Sequence, residues 1–221
     1  MYDWDFSVIL RHKWVFVDGA LISLKITLFV ILFGTAAGLA FGLARSSKRR
    51  WISVPSGVFV EIFLALPIIV LLIWIYYCGP ILFGINLSGF WTAVLALSLT
   101  LTAFVAEIVR SSLHAVPSGH VEAARGLGMS GMQTLGYIVL PQAFRVMLPP
   151  LMSMYIDTLK MSSLASVIAV YELLHSAQNL IMDSYQPLEI YTAVAVIYLI
   201  IILPFALLAR RYEASKQWRL L

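Results

Sequence analysis

Residues 26–50, ITLFVILFGTAAGLAFGLARSSKRR, carry the strongest structural signal in the chain. No charged residue occurs before Arg45, and basic residues then follow closely at Lys48, Arg49 and Arg50. A helix needs about 20 mostly apolar residues to cross the hydrocarbon core of a bilayer. Basic residues collect at the cytoplasmic ends of such helices. The stretch therefore predicts a transmembrane helix that ends on the cytoplasmic side.

The composition of the whole chain also indicates a lipid environment. Hydrophobic residues make up 61% and charged residues 12% of the 221 residues, whereas soluble proteins contain about 45–50% and about 25%. The mean hydropathy is +0.92. These values argue against an ordinary soluble enzyme, a disordered chain and a disulfide-rich secreted protein. The single Cys78 offers no disulfide framework, and the four scattered histidines indicate no metal site.

Four further apolar stretches complete an all-α membrane protein with five transmembrane helices. The fourth stretch is the weakest, since it contains Arg145 and three prolines. We predict one transmembrane domain, residues 1–221, with a cytoplasmic loop at 112–136 and spans at approximately 20–44, 58–82, 89–111, 137–158 and 190–209.

The distribution of basic residues predicts the orientation in the membrane. Dense Lys/Arg clusters follow both the first and the fifth span, and such clusters are typical of the cytoplasmic side. Four spans lie between the two clusters, so both clusters lie on the same side of the membrane. The N-terminus is then outside and the C-terminus inside. The net charge of +4 reflects this topology and does not indicate nucleic-acid binding. The basic residues on the inner side are Arg45, Lys48, Arg49, Arg50, Arg110, Arg125, Arg145, Arg210, Arg211, Lys216 and Arg219.

Three glycines in the first span, Gly34, Gly38 and Gly42, are spaced four residues apart. They therefore share one helix face, and small residues at this spacing let another helix approach closely. The pattern predicts helix packing, either within the chain or across a dimer.

The loop after the third span contains a short predicted helix. Ser118 is a candidate N-cap, residues 121–125 have good helix propensity, and Gly126 and Gly128 end the helix. A helix of about two turns is marginal alone in water. It therefore needs a partner surface, although a solvated loop with a routine capped helix remains the alternative.

These residues resemble the EAA signature of permease subunits in ABC importers. The motif residues are Glu122, Ala123, Ala124, Gly128, Leu140 and Pro141. The neighbouring Gln142-Ala143-Phe144-Arg145, and Ala106-Glu107-Ile108 with Arg110, look like the polar amino acid branch, which serves histidine, glutamine, arginine and glutamate systems. The resemblance extends over most of the chain and implies the type I importer permease fold.

The resemblance also implies a set of partners. The short helix would be a coupling helix seated on a dimer of cytoplasmic ATP-binding subunits, and ATP and Mg²⁺ would be held there. This chain contains no GxxxxGK[ST] phosphate-binding motif and needs no cofactor of its own. The other partners would be a second permease chain, identical or paralogous, an extracytoplasmic amino acid binding protein, the amino acid substrate and lipid. The location would be the bacterial inner membrane.

Ionisable residues in spans are costly and are therefore candidates for the translocation path. We single out Glu61, Asp157 and Lys160, with the hydroxyls of Ser162 and Ser163. The alternative is an intrahelical Asp157–Lys160 pair at the outer interface with serines that pack between helices. In the second span, residues 64–71 (LALPIIVL) are apolar where the family usually has a polar motif around the proline.

Two other functions fit the sequence less well. An ion-coupled secondary transporter could use this chain as one half of an inverted repeat, but the one-sided Lys/Arg distribution argues against dual topology. An intramembrane enzyme lacks support, since the chain has neither HExxH nor GxSxG. The sequence favours a non-enzymatic permease subunit that imports a polar amino acid.

Overall fold

The computed structural model describes residues 4–84 and 86–217, and their regular structure is helical. A π-helical turn at Thr134–Val139 precedes the helix Leu140–Met161, and a 3₁₀ helix at Ser162–Ile168 follows it. The α-helices are α1 (Ser7–Arg11), α2 (Lys13–Arg45), α3 (Arg50–Ala65), α4 (Ile68–Phe83), α5 (Gly89–His114), α6 (Ser118–Gly126), α7 (Gly131–Gln133), α8 (Leu140–Met161), α9 (Leu173–Ser184) and α10 (Pro187–Gln217).

Among the described residues, four helical segments are long and apolar enough to cross a membrane. They are Lys13–Arg45, Gly89–His114, Gly131–Ile168 and Pro187–Arg211, and the bent pair α3–α4 makes a fifth if it counts as one span. The helical segments extend beyond the predicted spans at most ends. Two short helices that sequence reasoning did not identify, α1 and α9, lie beside the N-terminal end of α2.

The helix at 58–82 was expected to be one span, and the structure shows a broken one. Leu66 and Pro67 are extended, with ψ of 128° each, and α3 and α4 meet at 101°. Pro67 lacks the backbone N–H that a continuous helix would use, and its ring disfavours a helical conformation for the preceding residue. The break is therefore a local consequence of the proline.

The tightest helix pair is α2 with α5. A Cβ atom added at Gly38 would lie 2.5 Å from the Cβ of Val105, and one added at Gly42 would lie 2.5 Å from the Cβ of Val109. At Gly34 the nearest atom is the Cβ of Leu101, at 2.8 Å. The glycine face therefore packs within the chain, which resolves the choice that the sequence left between intrachain packing and a dimer.

The loop between α5 and α8 contains the predicted short helix, α6, but its beginning differs from the prediction. The N-cap position is Pro117, with no side-chain hydrogen bond, and Ser118 is the first helical residue. Proline at 117 favours the extended conformation that precedes a helix. The helix packs against the π-helical turn, which leads directly into α8.

Candidate translocation path and coupling surface

The end of α6 has a defined geometry that requires a glycine. The N–H of Gly128 donates to the carbonyl of Arg125 at 2.9 Å, and that of Met129 donates to the carbonyl of Ala124 at 3.1 Å. This pair of bonds is the Schellman arrangement, in which the residue after the C-cap is left-handed. Gly128 has φ of +81°, a conformation that costs other residues about 1–2 kcal/mol.

The side chains around α6 divide into a packed set and an exposed set. Ala124 is buried, whereas Glu122 and Ala123 are exposed. Leu127 is 85% exposed, and further large exposed apolar side chains follow it in α7, in the π-helical turn and in α8: Met132, Tyr137, Leu140 and Phe144. Pro141 is also exposed at the start of α8. The predicted motif residues thus lie on two adjoining elements that offer an uncovered apolar surface.

An ion-pair network joins three helices at the C-terminal end of α2. Arg45 donates to Glu107 of α5 at 2.7 Å and to Glu61 of α3 at 3.0 Å. Glu107 also accepts two hydrogen bonds from Arg110, at 2.6 Å and 3.1 Å. Glu61 therefore belongs to this network at the basic end of α2. It does not lie with the four other predicted path residues, which are on or just after α8.

The depth of α8 in the membrane follows from one hydrogen bond to α2. Tyr155 and Thr35 share a hydrogen bond of 2.9 Å between their hydroxyls. Thr35 precedes Arg45 at the basic boundary by ten residues, about 15 Å along a helix and half the hydrocarbon thickness. Tyr155 therefore lies near the middle of the bilayer, and Asp157 and Lys160 follow within about 8 Å along the axis.

The predicted path residues on α8 form an ion pair. Lys160 donates to Asp157 at 2.9 Å, three residues apart on the same helix face, and their side chains are 56% and 48% exposed. This is the intrahelical Asp157–Lys160 pair that the sequence analysis gave as the alternative to a role in the path. Its depth differs from that alternative, however, since the Tyr155 hydrogen bond puts it between the midplane and the boundary opposite Arg45.

The two predicted path serines behave differently from each other. Ser162 is fully buried and donates to the carbonyl of Leu159 at 2.7 Å, so it does not face the open side of α8. Ser163 is half-buried and donates to the carbonyl of Lys160 at 2.8 Å. Of the five residues singled out, the structure brings Asp157, Lys160 and Ser163 together on the exposed side.

A buried carboxylate that sequence reasoning did not assign anchors the segment after the 3₁₀ helix. Glu172 is 0% exposed and accepts hydrogen bonds from the backbone N–H groups of Leu174 and His175 at the start of α9. It also accepts from Ser23 of α2 and Tyr198 of α10. Burial raises the pKa of the Glu172 carboxyl, and these hydrogen bonds oppose the rise. An acidic residue directly before a helix was the available sequence signal.

The apolar stretch at the break of α3 and α4 is exposed. Leu64, Leu66, Ile69 and Val70 are each more than one-third exposed, whereas Leu71 and Leu72 are buried beneath them. The 3₁₀ helix that follows α8 contacts α4. The segment that follows Asp157 and Lys160 along the chain therefore packs against the second half of the broken span.

Comparison with known proteins identifies the family. A model described as "Binding-protein-dependent transport system inner membrane component" matches residues 26–217. The chain is 36% identical over 214 residues to a glutamine transport system permease protein of Escherichia coli strain K12, with 95% of this chain and 96% of that protein covered. It is 38% identical over 200 residues to an L-cystine transport system permease protein of Bacillus subtilis strain 168, with 90% of this chain and 84% of that protein covered.

Solved structures agree with this similarity. A crystal structure of an amino acid ABC transporter with histidines superimposes with a TM-score of 0.91 at 32% identity and covers 97% of this chain and all of that one. An inward-facing methionine ABC transporter gives a TM-score of 0.76 at 22% identity and covers 91% of this chain and 96% of that one, a likeness of fold alone. The chain therefore belongs to the family of binding-protein-dependent transport system inner membrane components and is an amino-acid ABC transporter permease subunit.

Proposed function

We propose that this chain is one of two permease subunits in an ATP-driven importer of a polar amino acid. The relatives named above are permeases for glutamine and L-cystine, which supports an amino acid as the solute. The second permease chain is either a copy of this one or a paralogue, and the solute crosses between the two. The N-terminus is outside and the C-terminus inside.

The observation that carries the proposal is the Asp157–Lys160 pair. Its side chains are about half exposed in the single chain at a depth where lipid tails would otherwise surround them. Ionised groups at that depth almost always face protein or a water-filled cavity, since contact with lipid costs several kcal/mol. The exposed side of α8 therefore lines a path that another chain completes. A zwitterionic amino acid matches this site, because the carboxylate attracts its ammonium group and the lysine attracts its carboxylate.

The broken span supports the same assignment independently. Extended backbone such as that at Leu66 and Pro67 occurs at membrane depth only where protein covers it or where it borders a cavity. Because this segment is exposed in the single chain, we expect the second permease or the path to lie against it. Its apolar side chains would contact the uncharged part of the solute.

Energy comes from outside the chain. The exposed apolar surface around Leu127 and Tyr137 would be covered by a dimer of cytoplasmic ATP-binding subunits, which hold ATP and Mg²⁺. Closure of that dimer would draw two α6 helices together, one from each permease, and reorient the path. An extracytoplasmic binding protein would deliver the amino acid at the opposite face.

The test is uptake by the reconstituted complex. The chain is purified from native membranes with its co-purifying subunits, placed in proteoliposomes with the soluble binding protein, and assayed with a panel of labelled amino acids. We expect uptake of a polar amino acid that requires ATP on the side of the ATPase subunits. Uptake that follows an ion gradient without ATP would contradict the proposal and favour an ion-coupled transporter.

The substitution Asp157→Asn in this assay tests the path directly. It removes the charge and keeps nearly the same volume, so it should reduce uptake while the complex still assembles.

A further inference from the structure

A chain of two hydrogen bonds connects α6 to the first turn of α8. Nδ1 of His120 lies 2.8 Å from Oε1 of Gln142, and Nε2 of Gln142 donates to the carbonyl of Ile138 at 2.9 Å. Ile138 lies in the π-helical turn that joins the two elements. Among the residues that the structure describes, the bond between His120 and Gln142 is the one side-chain hydrogen bond between α6 and α8.

The direction of these bonds follows from their chemistry. The carbonyl of Ile138 can only accept, so the amide nitrogen of Gln142 must face it. The amide oxygen then faces His120, which must carry its proton on Nδ1. His120, Gln142 and the Ile138 carbonyl thus form a directional series of donors and acceptors.

The series ends where the backbone changes its hydrogen-bonding pattern. The N–H of Leu140 donates to the carbonyl of Leu135, a π-type bond, and α-helical bonding begins in α8. Pro141 has no N–H with which to continue the backbone ladder at this point. Gln142 follows Pro141 directly, and its side-chain amide adds a hydrogen bond to the carbonyl of Ile138, three residues before the proline. Single π-helical turns of this kind occur mostly at functional positions.

We infer that His120 and Gln142 are positioning residues that transmit displacement of α6 to α8 during transport. This inference rests on the proposed function, since it assumes that an ATPase moves α6. Ala124 is buried and α6 packs against the π-helical turn, but an apolar contact lets the two elements slide past each other. The hydrogen bonds fix the relative position of the two helices, so that movement of α6 displaces the start of α8 and not the loop alone.

The experiment measures uptake and ATP hydrolysis together in the reconstituted complex. The variants are His120→Ala, Gln142→Ala, the double variant and His120→Gln, whose amide can donate to Gln142. His114→Ala is the matched control, because His114 is also an exposed histidine but bonds only to the Arg110 carbonyl of its own helix, at 2.7 Å.

We expect each alanine variant to retain the ATPase subunits and their hydrolysis while uptake per ATP falls about fivefold, the worth of one hydrogen bond. The double variant should lose no more than either single one, since both remove the same link. His120→Gln should recover most of the uptake, and His114→Ala should match the wild type.

Three results would overturn the inference. One is an equal fall in uptake and hydrolysis, which leaves their ratio unchanged; another is additive losses in the double variant. The third is loss of the ATPase subunits from the complex, which would make the pair part of the docking surface. A wild-type complex without ATP-dependent uptake would instead refute the proposed function.

Discussion

The helices α5 and α8 differ sharply in their surroundings. In the apolar part of α5, 72% of the residues are buried, whereas the figure is 17% in the segment that contains α8. The pair α2–α5 is closed by glycines that admit no added atom, while α8 exposes an ion pair. The comparison shows a closed half, the α2–α5 pair, and an open half, the exposed side of α8 with the broken span. We propose that partner chains complete the open half.

If this division is right, changes in the α2–α5 contact will affect folding and changes on the exposed side will affect transport.

Gly38→Leu should cause the greatest loss. Its Cβ would already lie 2.5 Å from that of Val105, and the remaining atoms would force α2 and α5 apart at a cost of at least about 1–3 kcal/mol. We expect little folded protein and a melting temperature in detergent lowered by several degrees. Gly79→Leu is the control, since nothing lies within 4 Å of a Cβ atom there. A normal melting temperature for Gly38→Leu would refute the tight α2–α5 contact.

Asp157→Asn should produce the opposite result, with transport lost and stability kept. Loss of a charge-assisted contact to the solute is expected to reduce uptake roughly tenfold or more, while the melting temperature changes little because the pair is half exposed. Asp18→Asn, an exposed aspartate on α2, is the control. Wild-type uptake by Asp157→Asn would remove Asp157 from the path.

Much of the closed half could be predicted from sequence. The basic residues from Arg45 onward coincide with the end of α2, and the face with the three spaced glycines lies against α5. The spacing of the glycines defines a face of α2 but not the helix that packs on it. Only the three-dimensional structure shows that this helix is α5 and not part of a second chain. Pro67 explains the position of the break, but the 101° angle between α3 and α4 depends on how both helices pack against α5.

The open half was predicted less completely. The pair Asp157–Lys160 could be recognised because both residues lie on one helix at a spacing of three. Glu61 was grouped with them, but the structure pairs it with Arg45 of α2 and not with the α8 residues. The sequence shows that a charge enters a span and does not show which residue of another helix reaches it. Ser162 was expected near the path, and its burial depends on the 3₁₀ geometry after α8.

Gly128→Ala, at the end of α6, should have an effect on uptake smaller than that of Asp157→Asn. The added methyl group meets no atom within 4 Å, so the cost of about 1–2 kcal/mol arises only from φ of +81°. We expect a partly disordered end of α6 and a several-fold lower rate of ATP-dependent uptake with unchanged membrane insertion. Gly126→Ala is a close control, because that position is equally open but helical. Equal behaviour of the two variants would contradict the importance of the left-handed turn.

Tyr155→Phe should have the smallest effect. It removes the hydroxyl that bonds to Thr35 at 2.9 Å, and hydrogen bonds between membrane helices contribute about 0.6 kcal/mol on average. We expect a small fall in the unfolding free energy, measured by denaturant titration in detergent, and no further loss when Thr35→Val is added. Additive losses would mean that the two hydroxyls do not act as a pair.

The break between α3 and α4 also affects how the chain is made. Each half has 16 residues, fewer than the roughly 20 that a helix needs to cross the hydrocarbon core alone. Neither half is therefore an independent unit of membrane insertion during synthesis. Because α3 packs against both α2 and α5, and α4 packs against α5, the pair completes its packing only after a helix encoded later in the chain has entered the bilayer. We thus expect biogenesis of the broken span to follow that of α5, out of the order in which the ribosome produces them.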